Sequence, residues 1–164
     1  VSTYYVNVFS NKKAIVAIGY AKTDAAEYSK IYKTEDGGNT WTNVGSGPNN
    51  RRMKGINFID ENTGFFCYEA SSSEANNLYV TRDGGKTYSP VTFAPQQLDS
   101  DADKLTWDQV YKEATVPILN SDGSLTVYLT QGKDGTYHNG KTVAKYRSTD
   151  NGQHWDYVEQ TQNY

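Results

Sequence analysis

Thr34-Glu35-Asp36-Gly37-Gly38-Asn39-Thr40-Trp41 recurs as Thr81-Arg82-Asp83-Gly84-Gly85-Lys86-Thr87-Tyr88 and again as Ser148-Thr149-Asp150-Asn151-Gly152-Gln153-His154-Trp155. Each copy reads Ser/Thr-x-Asp-x-Gly-x-(Thr)-aromatic. A phrase repeated three times within 164 residues marks stacked copies of one supersecondary unit, and that reading outranks any local propensity. The phrase has a physical task. Gly supplies the positive φ of a tight reversal between two strands. The Asp carboxylate accepts hydrogen bonds from backbone N–H groups inside the turn. The closing aromatic opens the next strand and is expected to pack inward.

Working outward from each copy, the same four pieces appear. The first unit reads as strands at Thr3–Phe9, Ala14–Ala21 and Ser29–Thr34, with a fourth starting at Trp41. The second reads as Lys54–Ile59, Gly64–Ala70, Asn77–Thr81 and Tyr88–Phe93. The third reads as Ala114–Leu119, Ser124–Thr130, Thr142–Ser148 and Trp155–Glu159. Ile15, Ala17 and Gly19 alternate with Val16, Ile18 and Tyr20, so this strand is apolar on both faces. Lys145-Tyr146-Arg147 alternates as a strand with one wet face should. Tyr32, Tyr79 and Tyr146 each stand two residues before the residue that opens the phrase. The expected fold is all-β: one repeat domain over residues 1–164, with three four-stranded antiparallel blades at about 3–44, 54–93 and 114–159.

Composition agrees and narrows function. There are 14 Tyr, 5 Phe and 3 Trp, a bias toward half-buried pleated surface. A net charge of −3 gives no field for a polyanion, which argues against nucleic acid. No apolar run has the length of a membrane span. The chain opens on Val1 rather than Met, as expected of a mature or excised segment. The one cysteine, Cys67, reads as a small buried hydrophobe in a strand.

The three phrases resemble the Asp box, or BNR repeat, of sialidase-like proteins. Asp36, Asp83 and Asp150 match its aspartate. Gly38, Gly85 and Gly152 match its glycine, and Trp41, Tyr88 and Trp155 its aromatic. His154 departs from the usual Thr. The resemblance implies β-propeller blades, with the boxes structural and turned away from the ligand face. It also implies an extracellular or cell-surface location. Three blades fall short of the usual four to eight. The expectation is therefore an incomplete arc, completed by self-association, by blades of another chain or by sequence outside this segment.

Binding residues are expected on the loops opposite the boxes: Lys22–Tyr28, Ser71–Asn76, Gln131–Lys141, and the connections at Gly45–Met53 and Ala94–Glu113. Phrases one and two lie 47 residues apart and phrases two and three 67, the excess falling in these loops. Arg51 and Arg52 suit a bidentate clamp on a carboxylate, or form a solvated pair in a connecting loop. Tyr137 and His138 read as exposed at the tip of a Gly-rich hairpin, where rings stack on a sugar, or as parts of an ordinary long hairpin. Asp99, Asp101 and Asp103 have the spacing that opens a calcium loop, but Lys104 replaces its central Gly and Val110 its closing Glu. The plainer alternative is the acidic start of a helix from Ser100 through Lys112, carrying Trp107, which is itself a candidate ligand contact.

No catalytic set emerges. Asp101, Glu69, Tyr137 and Arg51 are the candidates for glycoside hydrolysis, which needs an acid, a nucleophile and substrate clamps in one pocket, and no motif joins them. The expected function is a non-catalytic binding module for carbohydrate or protein, without cofactor apart from Ca2+ should the three carboxylates converge. The alternatives are a fragment of a sialidase-type glycoside hydrolase and a purely structural arc.

Overall fold

The computed structural model describes residues 1–21, 23, 26–71, 76–100 and 104–162. They form two compact units, one comprising Val1–Glu69 with Leu78–Pro90 and the other Ala70–Asn77 with Val91–Tyr164. The fold is all-β, with three antiparallel sheets among the described residues. The first unit holds the sheet β1 (Thr3–Val8), β2 (Ala14–Ala21), β3 (Glu27–Thr34) and β4 (Thr42–Ser46), and the sheet β5 (Met53–Phe58), β6 (Gly64–Tyr68), β7 (Leu78–Thr81) and β8 (Ser89–Pro90). In both, neighbours in sequence are neighbours in the sheet.

The second unit holds β9 (Glu113–Ala114), β10 (Ile118–Leu119), β11 (Leu125–Thr130), β12 (Thr142–Ser148) and β13 (Asp156–Gln162). Here β9 and β10 both pair with β11, so the expected strand Ala114–Leu119 is one edge broken in two. Pro117, with no N–H to give a ladder, lies in the break. Pro90 acts similarly in the second sheet, where β8 is two residues long instead of Tyr88–Phe93. Of the helix expected from Ser100 to Lys112, the described residues show one α-helical turn, α1 (Trp107–Val110).

The repeated phrase forms the same reversal each time. In the second copy the buried Thr81 hydroxyl donates to Asp83 Oδ1 at 2.9 Å and accepts the Gly85 N–H at 2.8 Å. Asp83 Oδ1 also accepts the N–H groups of Lys86 (3.0 Å) and Thr87 (2.9 Å), and Oδ2 takes the Thr87 hydroxyl at 2.6 Å. Thr34, Asp36 and Thr40 make the equivalent bonds in the first copy. In the third, Ser148 holds Asp150 and the Gly152 N–H, and His154 Nδ1 lies 2.6 Å from Asp150 Oδ2, where the other copies place a Thr hydroxyl. The two central residues have positive φ in every copy: 75° and 91° at Gly37 and Gly38, 74° and 97° at Gly84 and Gly85, 58° and 77° at Asn151 and Gly152. Asn is the non-glycine residue that tolerates this region best.

The first unit's core lies between its two sheets. Ile15, Ala17 and Ile31 from the first meet Met53, Phe58, Phe66 and Tyr68 from the second, with Tyr88 packed against them. Phe66 meets the Tyr88 ring edge-on at 5.1 Å. The second phrase presses onto the first sheet so closely that a Cβ at Gly45 would lie 2.7 Å from the Gly85 carbonyl oxygen. Trp155 is buried as well, 5.6 Å from Phe93. Trp41 is not: it is 43% exposed, its indole N–H donating to the Gly38 carbonyl at 3.1 Å. The inward packing expected of all three aromatics thus fails at Trp41.

Two tests follow from the clasp. Thr81→Val keeps the shape of a fully buried side chain but strands the Gly85 N–H. Urea unfolding is expected to show a loss of about 1–3 kcal/mol at unchanged m-value. The second test is acid. Thr40 and Thr87 hydroxyls, with backbone N–H groups, hold Asp36 and Asp83 down from an ordinary 3.8 to about 2. The His154 N–H and ring lower Asp150 further. A carboxyl depressed in the folded state stabilises fully above its unfolded pKa and stops doing so as pH falls through the folded one. The fold is therefore expected to weaken between about pH 4 and pH 2. An acid titration followed by circular dichroism, shallower for Asp83→Asn, checks it.

Candidate functional site

The second unit gathers several of the residues singled out in the sequence. The loop after β11 is anchored from inside by Gln131, whose buried Nε2 donates to the carbonyls of Tyr137 (2.9 Å) and Thr142 (3.2 Å) and to the Thr142 hydroxyl (3.0 Å). One buried amide thereby pins both ends of the excursion. Tyr137 is drawn in beneath it, 3% exposed, with its ring edge-on to Tyr111 at 6.1 Å and its hydroxyl donating to Gln160 at 3.3 Å. The exposed Tyr137 at a hairpin tip, expected from the Gly-rich sequence, is corrected here: the segment Tyr137–Gly140 is a tight 3-10-like turn folded over a buried ring.

That turn has three consecutive positive φ angles, 47° at His138, 60° at Asn139 and 71° at Gly140. For His138 and Asn139 this is a strained backbone, held by the surroundings. It delivers the half-exposed His138 ring to Asp99, Nε2 lying 2.9 Å from Oδ2. These residues stand 39 apart in sequence.

Asp99 lies on the rim of an open cleft of about 450 Å³, lined by Gln96, Gln97, Leu105, Trp107 and Asp108 among others. The floor is α1. There Thr106 N–H donates to the Gln109 side chain at 2.8 Å, and Trp107 is buried against Tyr111 (4.7 Å) and Tyr157 (5.7 Å). Trp107, a candidate ligand contact, is 5% exposed and so offers the cleft little surface. Leu105, 43% exposed, supplies the freer apolar surface. The tyrosines behind the wall are neutral hydrogen-bonding groups. Burial pushes the Tyr111 and Tyr146 hydroxyls up to about 12 and raises Tyr137 too. Tyr111 donates to Thr142 Oγ1 at 2.9 Å and Tyr146 to the Ala94 carbonyl at 2.6 Å.

The other expectations fall elsewhere. Arg51 and Arg52 belong to the first unit. Arg51 is half-buried and donates both its backbone N–H (3.0 Å) and its Nε (3.1 Å) to Asn49 Oδ1, while Arg52 is exposed. Asp101 and Asp103 lie outside the described residues, as do parts of the loops Lys22–Tyr28 and Ser71–Asn76. Among the described residues no group of three or more His, Cys, Asp or Glu converges as metal ligands. Of the glycosidase candidates, Glu69 is exposed in the first unit and Tyr137 is buried in the second. Gln131 and Tyr111 escaped sequence reading. The one available signal was that Tyr111 follows Trp107 by four residues, one helical turn.

No family model matches the chain, and no curated protein does. Solved structures do. The α-L-arabinofuranosidase Arb93A of Fusarium graminearum, in complex with an iminosugar inhibitor, is 14% identical over 97% of this chain and 47% of its own, with a TM-score of 0.52. The same enzyme with arabinobiose gives 12% identity, the same coverage and the same TM-score. A GH74 enzyme of Niastella koreensis is 21% identical over 90% of this chain and 20% of its own, at a TM-score of 0.48. The arabinofuranosidase likeness is one of fold, and that fold is propeller-type. The chain spans about half the length of the arabinofuranosidase it matches.

Asn139→Gly tests the strained turn. Glycine adopts a φ of 60° without the penalty Asn carries, so thermal unfolding is expected to show a gain of up to about 1 kcal/mol. A loss would mean that the Asn139 side chain, not its backbone, holds the turn.

Proposed function

We propose that this chain is part of an Asp-box, sialidase-like β-propeller and binds carbohydrate, without cleaving it, in the cleft beside α1. The observation that carries this reading is the composition of the cleft wall. Gln96, Gln97, Asp99 and Asp108 line the cleft together with the apolar surface of Leu105 and Trp107. Amides and carboxylates pair with adjacent sugar hydroxyls, and apolar surface covers the C–H face of the ring. The wall is stiffened from behind by packed aromatics, so little order remains to be imposed on binding.

Binding is favoured over hydrolysis on three grounds. Asp99 is already engaged by His138. The nearby tyrosine hydroxyls are raised and committed to hydrogen bonds, which suits donors and not nucleophiles. The repeated aspartates are fully occupied in closing their own turns. An extracellular or cell-surface setting belongs to the same proposal. No helix among the described residues is long and apolar enough to cross a membrane.

A second reading has one observation in its favour. The arabinofuranosidase likeness spans 47% of that enzyme, as a fragment of a hydrolase would. One set of measurements separates the two. A glycan array, followed by titration calorimetry with the best hit and with arabinobiose, is expected to show binding that Gln97→Ala and Asp108→Ala each weaken about tenfold or more, the loss of one buried polar contact. Binding indifferent to both substitutions, or no glycan bound at all, overturns the cleft assignment. Turnover of aryl arabinofuranosides or sialosides that is lost in Arg51→Ala overturns the non-catalytic reading in favour of the second.

A further inference from the structure

The cleft beside α1 carries charge of one sign. Among the described residues that line it, Asp99 and Asp108 are the ionisable side chains, with no Lys or Arg beside them. Lys104 is exposed and is not part of that lining. The two acids differ. Asp99 has His138 Nε2 at 2.9 Å from its Oδ2. Asp108, in the first turn of α1, is exposed and makes no hydrogen bond or ion pair among the described residues.

Behind both stand packed rings. Trp107 is buried, 4.7 Å from the Tyr111 ring and 5.7 Å from that of Tyr157. A cleft lined by one sign of charge against a low-dielectric wall concentrates its field on the open side, which enriches ligands of the opposite sign there. The rings register that field. Burial does most to raise the Tyr111 and Tyr146 hydroxyls, and negative charge adds to it, from Asp99 at Tyr111 and from Asp108 at Tyr146.

Sugars of different charge meet this wall differently. A sugar carboxylate would face two like charges, with no guanidinium or ammonium in the described lining to replace its water. Arg51 and Arg52, the side chains suited to clamping a carboxylate, belong to the first unit. A sugar hydroxyl is accommodated, because carboxylates accept its proton and the exposed Gln97 amide both donates and accepts. An ammonium in place of that hydroxyl keeps the hydrogen bond, makes it charge-assisted and supplies Asp108 with a counter-charge.

We infer that the cleft sorts sugars by charge, taking amine-bearing sugars in preference to neutral ones and rejecting acidic ones, with Asp108 as the selecting residue. This rests on the reading of the cleft as a carbohydrate site. The 164-residue chain is screened on an array carrying amine-bearing, neutral and acidic glycans. Calorimetry then compares the best amine-bearing glycan with its N-acetylated form at about pH 6, where the sugar amine holds its proton. The free amine is expected to bind about tenfold or more tightly. That gap is expected to narrow as ionic strength rises from about 0.05 to about 0.5 M. Asp108→Asn keeps the side chain's shape and removes its charge, and is expected to reduce the ratio of the two affinities several-fold. Circular dichroism checks that the variant keeps its fold. Amine-bearing glycans bound no more tightly than neutral ones, acidic glycans bound as well as either, or a preference indifferent to salt and to Asp108→Asn each overturn this inference and leave the carbohydrate reading standing. An array on which no glycan binds overturns both.

Discussion

One short clasp organises this chain: a buried Ser or Thr hydroxyl and an Asp carboxylate that hold each other and, between them, the N–H groups of a tight reversal. Without it, several backbone donors at the bend have no acceptor, and two consecutive residues have no reason to adopt positive φ. With it, the last two strands of each sheet meet at a set distance and angle, and the aromatic that follows is aimed. For Tyr88 that aim is met by the first sheet, and Gly45, without a Cβ, lets the turn approach. The hydroxyl matters as much as the acid. Thr34, Thr81 and Ser148 are all buried, whereas the carboxylates beside them remain reachable by water.

Legibility in the sequence followed the range of the interaction. The clasp spans seven residues, so its spacing was visible, and the tyrosines before it confirmed that three strands were equivalent. Edges were less legible. Pro90 and Pro117 cut strands that alternation alone extended, because a missing donor leaves hydrophobic patterning untouched. Exposure was least legible of all. Trp41, Tyr88 and Trp155 occupy one position of one motif, yet only neighbouring sheets decide which is covered. Tyr137 shows the opposite error: surrounded by Gly, Asp and Lys, it read as a loop tip, while the buried amide of Gln131 pulls the loop down over it. His138 and Asp99 met through tertiary folding, and nothing local announced their contact.

The cleft illustrates how a repeat scaffold acquires individuality. The extra residues of the third unit do not lengthen its strands. They make a one-turn helix, a strained turn and a set of tyrosines packed edge-on and tilted that stiffen the wall of the cleft. Strain at His138 and Asn139 is tolerable because Gln131 and Thr142 hold the turn from within. The polar rim is thus presented by segments that owe nothing to the repeat, on strands that owe everything to it.

His154 carries a wider lesson about recognising such turns. Its imidazole stands in for a threonine hydroxyl by placing a nitrogen 2.6 Å from the far oxygen of Asp150, although the two side chains share neither size nor chemistry. The turn selects an atom at a point in space, not a residue type. Scoring by amino-acid identity undervalues such a copy, whereas a template of two oxygens, one donor and a left-handed pair of residues would retrieve it. Diverged members of repeat architectures should accordingly be easier to find by searching coordinates for the clasp than by searching sequences for the phrase.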